Sequence, residues 1–278
     1  MKRFSFEGVF NISLTVSCGQ AFRWKKEGDI WSAPVYDSLW NVRQKDDVLF
    51  YDGCSEDELV HYFALDLDLD EILSSIDTDS LIHNAVASCR GLRICRQPPF
   101  ECLVSYICAS CSNIPMISKR IELLSEKYGK DTGCGICTFP SADDLRNSTP
   151  DEIRCCKTGY RDSFIHAASC YVSEHPAWDK EISSMPYARA KAELMNLPGI
   201  GPKVADCVLL FGFGFYEAVP VDVWIERILR TQYFGNECEK KLPYEKAAGF
   251  AREKFGKYAG YAQEYLYAER EGIAKRGE

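Results

Sequence analysis

The tightest constraint in this 278-residue chain is Leu197-Pro198-Gly199-Ile200-Gly201-Pro202-Lys203-Val204-Ala205-Asp206. A helical pattern ends near Asn196, two glycines turn the chain, and Pro202 then sits at a first helical position, where its missing N–H costs nothing. This is a helix-hairpin-helix. A plain turn between helices has no need of Gly-Ile-Gly followed by Pro-Lys. Gly199 and Gly201 leave backbone N–H groups bare, and the next helix adds its positive end. A phosphate can dock there without any side-chain charge.

Lys203 falls in the first turn of that second helix. An ordinary lysine is protonated at neutral pH and a poor nucleophile. The positive pole of the helix and the apolar neighbours Val204, Cys207 and Val208 disfavour the ammonium and favour the free amine. Taken alone, the residue reads better as a solvated charge or a phosphate contact than as a nucleophile. The second signal is Val219-Pro220-Val221-Asp222-Val223-Trp224, in which Asp222 follows Lys203 by 19 residues and directly precedes a helix marked by Ile225, Ile228 and Leu229. Asp is also a preferred helix N-cap, so the combination, not the residue, carries the signal. A carboxylate beside a sugar stabilises a developing oxocarbenium ion, and an amine can then attack the anomeric carbon and form an imine.

The rest of the chain divides in two. Ile30-Trp31, Val35-Tyr36, Leu39 to Val42 and Val48 to Tyr51 are short β-branched or aromatic runs. The turn formers Asp37-Ser38 and Lys45-Asp46-Asp47 separate them, as in a one-sided antiparallel sheet. From Ser55 onward the apolar spacing becomes helical, with Leu59, Tyr62 and Phe63, then Ile72 and Ile76. Helices are expected over Phe100–Cys108, Ile114–Tyr128, Tyr160–Val172, Arg189–Asn196, Pro202–Phe211, Val223–Phe234 and Tyr244–Tyr267. The expected class is α+β: a small N-terminal antiparallel sheet with its following helices over residues 1–90, then a helical core over 91–278.

Charge and cysteine content exclude several readings. No apolar run approaches the ~20 residues of a membrane span. The start, Met-Lys-Arg-Phe-Ser-Phe-Glu, lacks a signal-peptide pattern, so the 14 cysteines are expected as reduced thiols. Cys134-x-x-Cys137 has no second pair to complete a zinc site, and Cys155-Cys156 reads the same way. Only Cys238 lies beyond Cys207, which argues against an iron–sulfur cluster. The net charge of −8 hides a block from Asp46 to Asp79 with 12 acidic residues and no Lys or Arg. Without it the balance is +4, so docking on phosphates is permitted though not indicated.

The stretch Leu197 to Trp224 resembles the helix-hairpin-helix/Gly-Pro-Asp DNA glycosylases. Nearly the whole chain is similar to the eukaryotic-type 8-oxoguanine DNA glycosylase/AP lyases. The matching motifs are Ser17-Cys18-Gly19-Gln20-Ala21-Phe22-Arg23-Trp24, Leu92 to Pro98, Glu101-Cys102-Leu103, Gly159-Tyr160-Arg161, Lys203 to Cys207 and Tyr258 to Gln263. The resemblance implies Lys203 as Schiff-base nucleophile and Asp222 as its electrostatic and proton-transfer partner. It implies that the Gly19 carbonyl accepts the N7 proton that distinguishes the lesion from guanine. Cys207 and Tyr267 would stack on the flipped base, and Gln263 would bond its pairing edge. Asn113, Tyr160 and Arg161 would fill the hole and hold the orphaned cytosine, with Gly199, Gly201 and Trp224 near the DNA backbone. No cofactor is implied and no metal is required. The resemblance allows a structural cation on the backbone at Met195, Leu197 and Ile200. The implied partner is double-stranded DNA bearing an oxidised guanine, met by a monomer with no membrane contact.

Three positions depart from the eukaryotic pattern. Cys111 stands at a wedge asparagine, Met116 at a cytosine-reading arginine, and Trp224 at a phosphate-contacting histidine. Weakened discrimination of the opposite base is expected. Without a mitochondrial-type leader the expected location is the cytoplasm, on the nucleoid, of a prokaryote, or the nucleus of a eukaryote. Two alternatives stay open: a glycosylase for a deaminated or alkylated base, and a non-catalytic helix-hairpin-helix module that only holds DNA.

Overall fold

The computed structural model describes residues 1–235 and 240–276. Five antiparallel strands, β1 (Lys2–Ser5), β2 (Lys25–Glu27), β3 (Ile30–Val35), β4 (Ser38–Lys45) and β5 (Val48–Asp52), form one sheet in the order β1-β5-β4-β3-β2. The apolar runs expected as strands are β3 to β5. The two edge strands went unread because they are short and carry Lys2, Arg3, Lys25 and Lys26, the charges that discourage edge-to-edge pairing. One face of the sheet buries Trp40, Val42, Leu49 and Tyr51. They join Ile12 and Val16 from helix Ile12–Ser17, and Leu59 and Tyr62 from helix Glu56–Tyr62, in a single core cluster.

A second and larger core belongs to the helices. Helices Leu69–Ile76 and Ser80–Ser88 contribute Leu69, Ile72, Ile76 and Ile82 to it and not to the sheet cluster. The α+β architecture is therefore as expected. The acidic block serves these first helices as caps. Asp68 accepts from Glu71 N, Asp79 from Leu81 N and Ile82 N, and Ser55 with Glu58 forms a capping box. All thirteen described cysteines are free, and Cys238 lies outside the described residues. Among the described residues no helix is long and apolar enough to cross a membrane.

Two sequence motifs form the seam between sheet and helices. The Gln20 side chain donates to Thr15 O (2.8 Å) and Arg93 O (2.8 Å), and accepts from Cys95 N at 2.8 Å. Its own carbonyl accepts from Gln97 Nε2 (2.8 Å) and Tyr106 OH (3.1 Å). Arg93, fully buried, reaches the carbonyls of Ala64 (2.5 Å) and Leu67 (3.0 Å). Buried backbone groups must be paired, and Gln20 and Arg93 supply partners where no sheet or helix does.

One expected helix is two. Gly256, at φ +64°, breaks Tyr244–Tyr267 into Tyr244–Phe255 and Ala259–Ala268. Gly260 then lets the second helix lie against the chain at Tyr216, whose carbonyl accepts Gly260 N at 2.7 Å. A Cβ on Gly260 would stand 2.4 Å from Leu210 Cδ1 and 2.7 Å from Ala218 O. The expected Val223–Phe234 helix likewise runs as an α-helix only over Val223–Leu229, with a wider turn over Arg230–Phe234.

Gln20→Leu should leave Arg93 O and Cys95 N buried without partners, and Thr15 O with only the weak Cys18 thiol donor. A loss of about 3 kcal/mol or more in urea unfolding is expected.

Candidate active site

The hairpin follows helix Tyr187–Met195 and leads into helix Pro202–Phe213. Gly199 has φ +80°, and a Cβ there would lie 2.3 Å from the Phe164 ring, so only glycine fits. Gly201 is the N-cap, at an ordinary φ of −90°, and faces open space. One turn after Lys203, the buried Asp206 accepts from Lys191 Nζ at 2.9 Å, Tyr187 OH at 2.6 Å and Tyr244 OH at 2.6 Å. Burial pushes the Asp206 carboxyl up, against the pull of Lys191 and the two phenols. The network ties the Lys203 helix to its neighbours on both sides.

Asp222 fulfils both of its readings. It caps helix Val223–Leu229, with Oδ1 accepting from Ile225 N at 2.8 Å, which leaves the second oxygen for the cleft it lines. That cleft, of about 790 Å³, also takes in Lys203, Gly19, Asn113, Trp224 and Lys241. An adjoining recess of about 70 Å³ shares Gly19, Lys203, Asp222 and Tyr267 with it and adds Cys207, Gln263 and Glu264. The residues assigned to nucleophile, carboxylate and base pocket thus come together in one place. Gly19 sits at φ +105°, and a Cβ would meet Ile114 Cδ1 at 3.3 Å and Tyr267 Cε1 at 3.6 Å. Burial pushes the Cys207 thiol up to about 12, with the Lys203 charge opposing. It is a neutral, polarisable wall.

The rim departs more from expectation. Asn113 caps helix Ile114–Tyr128, its Oδ1 accepting from Met116 N at 3.0 Å, and Met116 itself is exposed. Arg161 is buried, not presented. Its Nε donates to Ser110 O (3.1 Å), Nη1 to Thr158 O (3.2 Å) and Nη2 to Ser110 O and Cys111 O. The guanidinium also lies 4.4 Å from the ring centre of the exposed Tyr160. Reading a cytosine would require Arg161 to give up some of these bonds. Arg120 braces the same turn through Cys108 O at 3.0 Å and Ser112 Oγ at 2.5 Å. Its signal was present in the sequence, as an arginine between Ile117 and Ile121 on a buried helix face. Trp224 lines the cleft, with Arg227 5.4 Å from its ring centre.

Residues 4–103 match the family model described as 8-oxoguanine DNA glycosylase, N-terminal domain. The N-glycosylase/DNA lyase OGG1 of Arabidopsis thaliana is 33% identical over 279 residues, spanning 92% of this chain and 76% of that protein. The chain belongs to the 8-oxoguanine N-glycosylase/DNA lyase family. A probable N-glycosylase/DNA lyase of Methanothermobacter thermautotrophicus is 31% identical over 245 residues, covering 79% of this chain and 77% of its own. The structure of the Clostridium acetobutylicum 8-oxoguanine glycosylase/lyase, in complex with double-stranded DNA containing cytosine opposite to 8-oxoG, superposes with a TM-score of 0.88. It is 31% identical, covering 95% of this chain and 93% of that one.

Family resemblance also allows a cation on the hairpin carbonyls. The donor set at Met195, Leu197 and Ile200 is backbone oxygen alone, which suits a hard cation, although Leu197 O already accepts Ile200 N at 3.2 Å. Such an ion would add positive charge at the hairpin. Among the described residues no group of three His, Cys, Asp or Glu could hold a metal.

Sequence reasoning missed Lys241 and Glu264. Lys241 reads as one of two adjacent surface lysines, and nothing local marks it as a cleft residue. Glu264 lies beside Gln263 and three residues before Tyr267, which puts it within reach of the same helix face. It is 2% exposed, with Oε1 unpartnered. Burial pushes its carboxyl up to about 7; Asp222 adds to the rise, and Cys18, Arg270 and Gln263 oppose it. A raised carboxyl is protonated in the folded chain while already ionised in the unfolded one. Its stabilising proton is fully held below the ordinary Glu range and lost as pH rises through about 7. Glu264→Gln should therefore stabilise the fold at about pH 8, by on the order of 3 kcal/mol in urea unfolding, and change little near pH 4.

Proposed function

We propose that this chain releases 8-oxoguanine from duplex DNA and then nicks the strand by β-elimination, with Lys203 as nucleophile and Asp222 as its carboxylate partner. One observation carries the reading. Lys203 and Asp222, each at a helix N-terminus, line the same cleft and the same recess. The flipped nucleotide enters the recess between Cys207 and Tyr267, with Gln263 at its pairing edge and the Gly19 carbonyl at N7–H. The Lys203 amine bonds to C1′ as the bond from C1′ to the base breaks, the electron pair leaving with the purine. Asp222 stabilises the positive charge that develops on the sugar. Opening of the sugar ring gives the imine, loss of a C2′ proton follows, and the 3′ phosphate departs.

The partner surface fits the charge distribution. Neither the cleft nor the recess is lined by any of the twelve acidic residues from Asp46 to Asp79, while Lys203 and Lys241 both face the cleft. Non-catalytic DNA holding would need neither an amine nor a carboxylate brought together in one recess.

Borohydride trapping on a panel of lesion duplexes is the test. The wild type should give a covalent adduct with 8-oxoguanine, and Lys203→Gln should give none. Asp222→Asn should keep its stability, since Asn caps a helix nearly as well, while excision falls about a hundred-fold or more. Trapping confined to a deaminated or alkylated base would reassign the substrate, and full activity in Asp222→Asn would remove the carboxylate from the mechanism.

The exposed Met116 and the engaged Arg161 guanidinium support weak reading of the opposite base. Excision rates with the lesion facing C, A, G or T should differ by about tenfold or less. A cytosine preference of several hundred-fold would contradict this.

A further inference from the structure

The recess holds two carboxyl groups in different surroundings. Asp222 accepts a backbone N–H at 2.8 Å and caps helix Val223–Leu229. Glu264 is buried, and its Oε1 has no partner. Beside it the Gln263 amide oxygen is likewise buried without a partner. Both residues line the recess, and a buried polar group without a partner costs stability.

We propose that Glu264 is the proton donor to the departing base, a neutral carboxyl held in the recess against an acceptor atom on the flipped purine. The inference rests on the base-excision reading. As the bond from C1′ to the purine nitrogen breaks, its electron pair moves onto the purine. The Glu264 proton neutralises that charge and leaves Glu264 as a carboxylate, which solvent reprotonates once the base has gone. Lys203 meanwhile forms the new bond to C1′. A donor aimed at developing negative charge in a closed site is among the stronger forms of transition-state stabilisation.

Burial keeps the proton on Glu264. Asp222 faces it from the turn before helix Val223–Leu229, and Cys18 and Cys95 from the seam. Tyr106 and Cys207 face it from the two helices behind, with Cys89 farther off. Gln263, Tyr267 and Arg270 complete the surroundings, and Lys203 shares the recess. Arg270 draws the carboxyl down; burial outweighs it and leaves the group near 7. A purine filling the recess removes more water and favours the neutral acid further.

The test is single-turnover release of base from a duplex oligonucleotide with one 8-oxoguanine opposite cytosine, from about pH 5.5 to about pH 9.5. Wild type, Glu264→Gln and Glu264→Ala are compared. The wild-type rate should fall as pH rises above about 7. Glu264→Gln is near-isosteric and keeps a donor at every pH, so it should lose that alkaline fall and run about tenfold slower near pH 6.5. Glu264→Ala covers the case in which the amide variant fails to fold, and should be about a hundred-fold slower with no alkaline fall. A Glu264→Gln profile parallel to wild type, or a Glu264→Ala rate equal to wild type, would overturn the role of Glu264 alone. Wild type releasing no base at any pH would overturn the base-excision reading and this role with it.

Discussion

The site depends on one buried carboxylate. Asp206 is fully buried, and its partners come from the helix before the hairpin, Tyr187 and Lys191, and from the helix after the second catalytic turn, Tyr244. A charge at that depth is tolerable only when its lone pairs are filled, and removing one partner from such a group costs about 3–5 kcal/mol. The three helices are thereby held to a single relative geometry. Lys203, one turn from Asp206 on the same helix, inherits its position from that network. Replacing the cluster by apolar residues could well be stable. It would not fix the direction in which a long, flexible lysine leaves the helix. Here the buried polar group serves orientation.

Much of this was legible in the sequence, for physical reasons that differ between elements. The hairpin was legible because backbone geometry restricts its residues: Gly199 is forced by φ and by the Phe164 ring. Strands β3 to β5 were legible because their apolar alternation reports a buried face. Residues placed by long-range packing left weaker traces. Gln20 reads as a polar residue in a loop, yet its bonds reach 75 residues along the chain. Glu264 reads as a surface glutamate on an amphipathic helix, and its burial follows from the close approach at Gly260 and the break at Gly256. Arg161 matched a family position, but only the structure shows its donors turned onto Ser110 and Thr158. Side-chain identity is local; the direction a side chain faces is set by the whole packing.

The net charge of −8 illustrates a separate point. A phosphate-binding protein does not need a basic sum if its acids are placed elsewhere and given other work. In this chain Asp68 and Asp79 cap helices, Asp66 pairs with Arg96 at 2.7 Å, and Asp70 pairs with Arg90 at 2.7 Å. Over the ~10 Å reach of electrostatics in salt, a phosphate at the hairpin responds to what lines the cleft more than to the total. Helix ends and bare N–H groups supply attraction that formal charge counting omits.

Two carboxyl groups in one recess need not compete if their environments separate them. Asp222 accepts a backbone N–H at a helix start and lines the recess, a placement that suits a group facing positive charge on a sugar. Glu264 is denied both water and a hydrogen-bond partner at one oxygen, which suits a group facing negative charge on a leaving purine. Cleavage of a glycosidic bond generates both charges at once, on atoms only one bond apart. A site that offers a carboxylate on one side of that bond and an acid on the other can stabilise both without moving either.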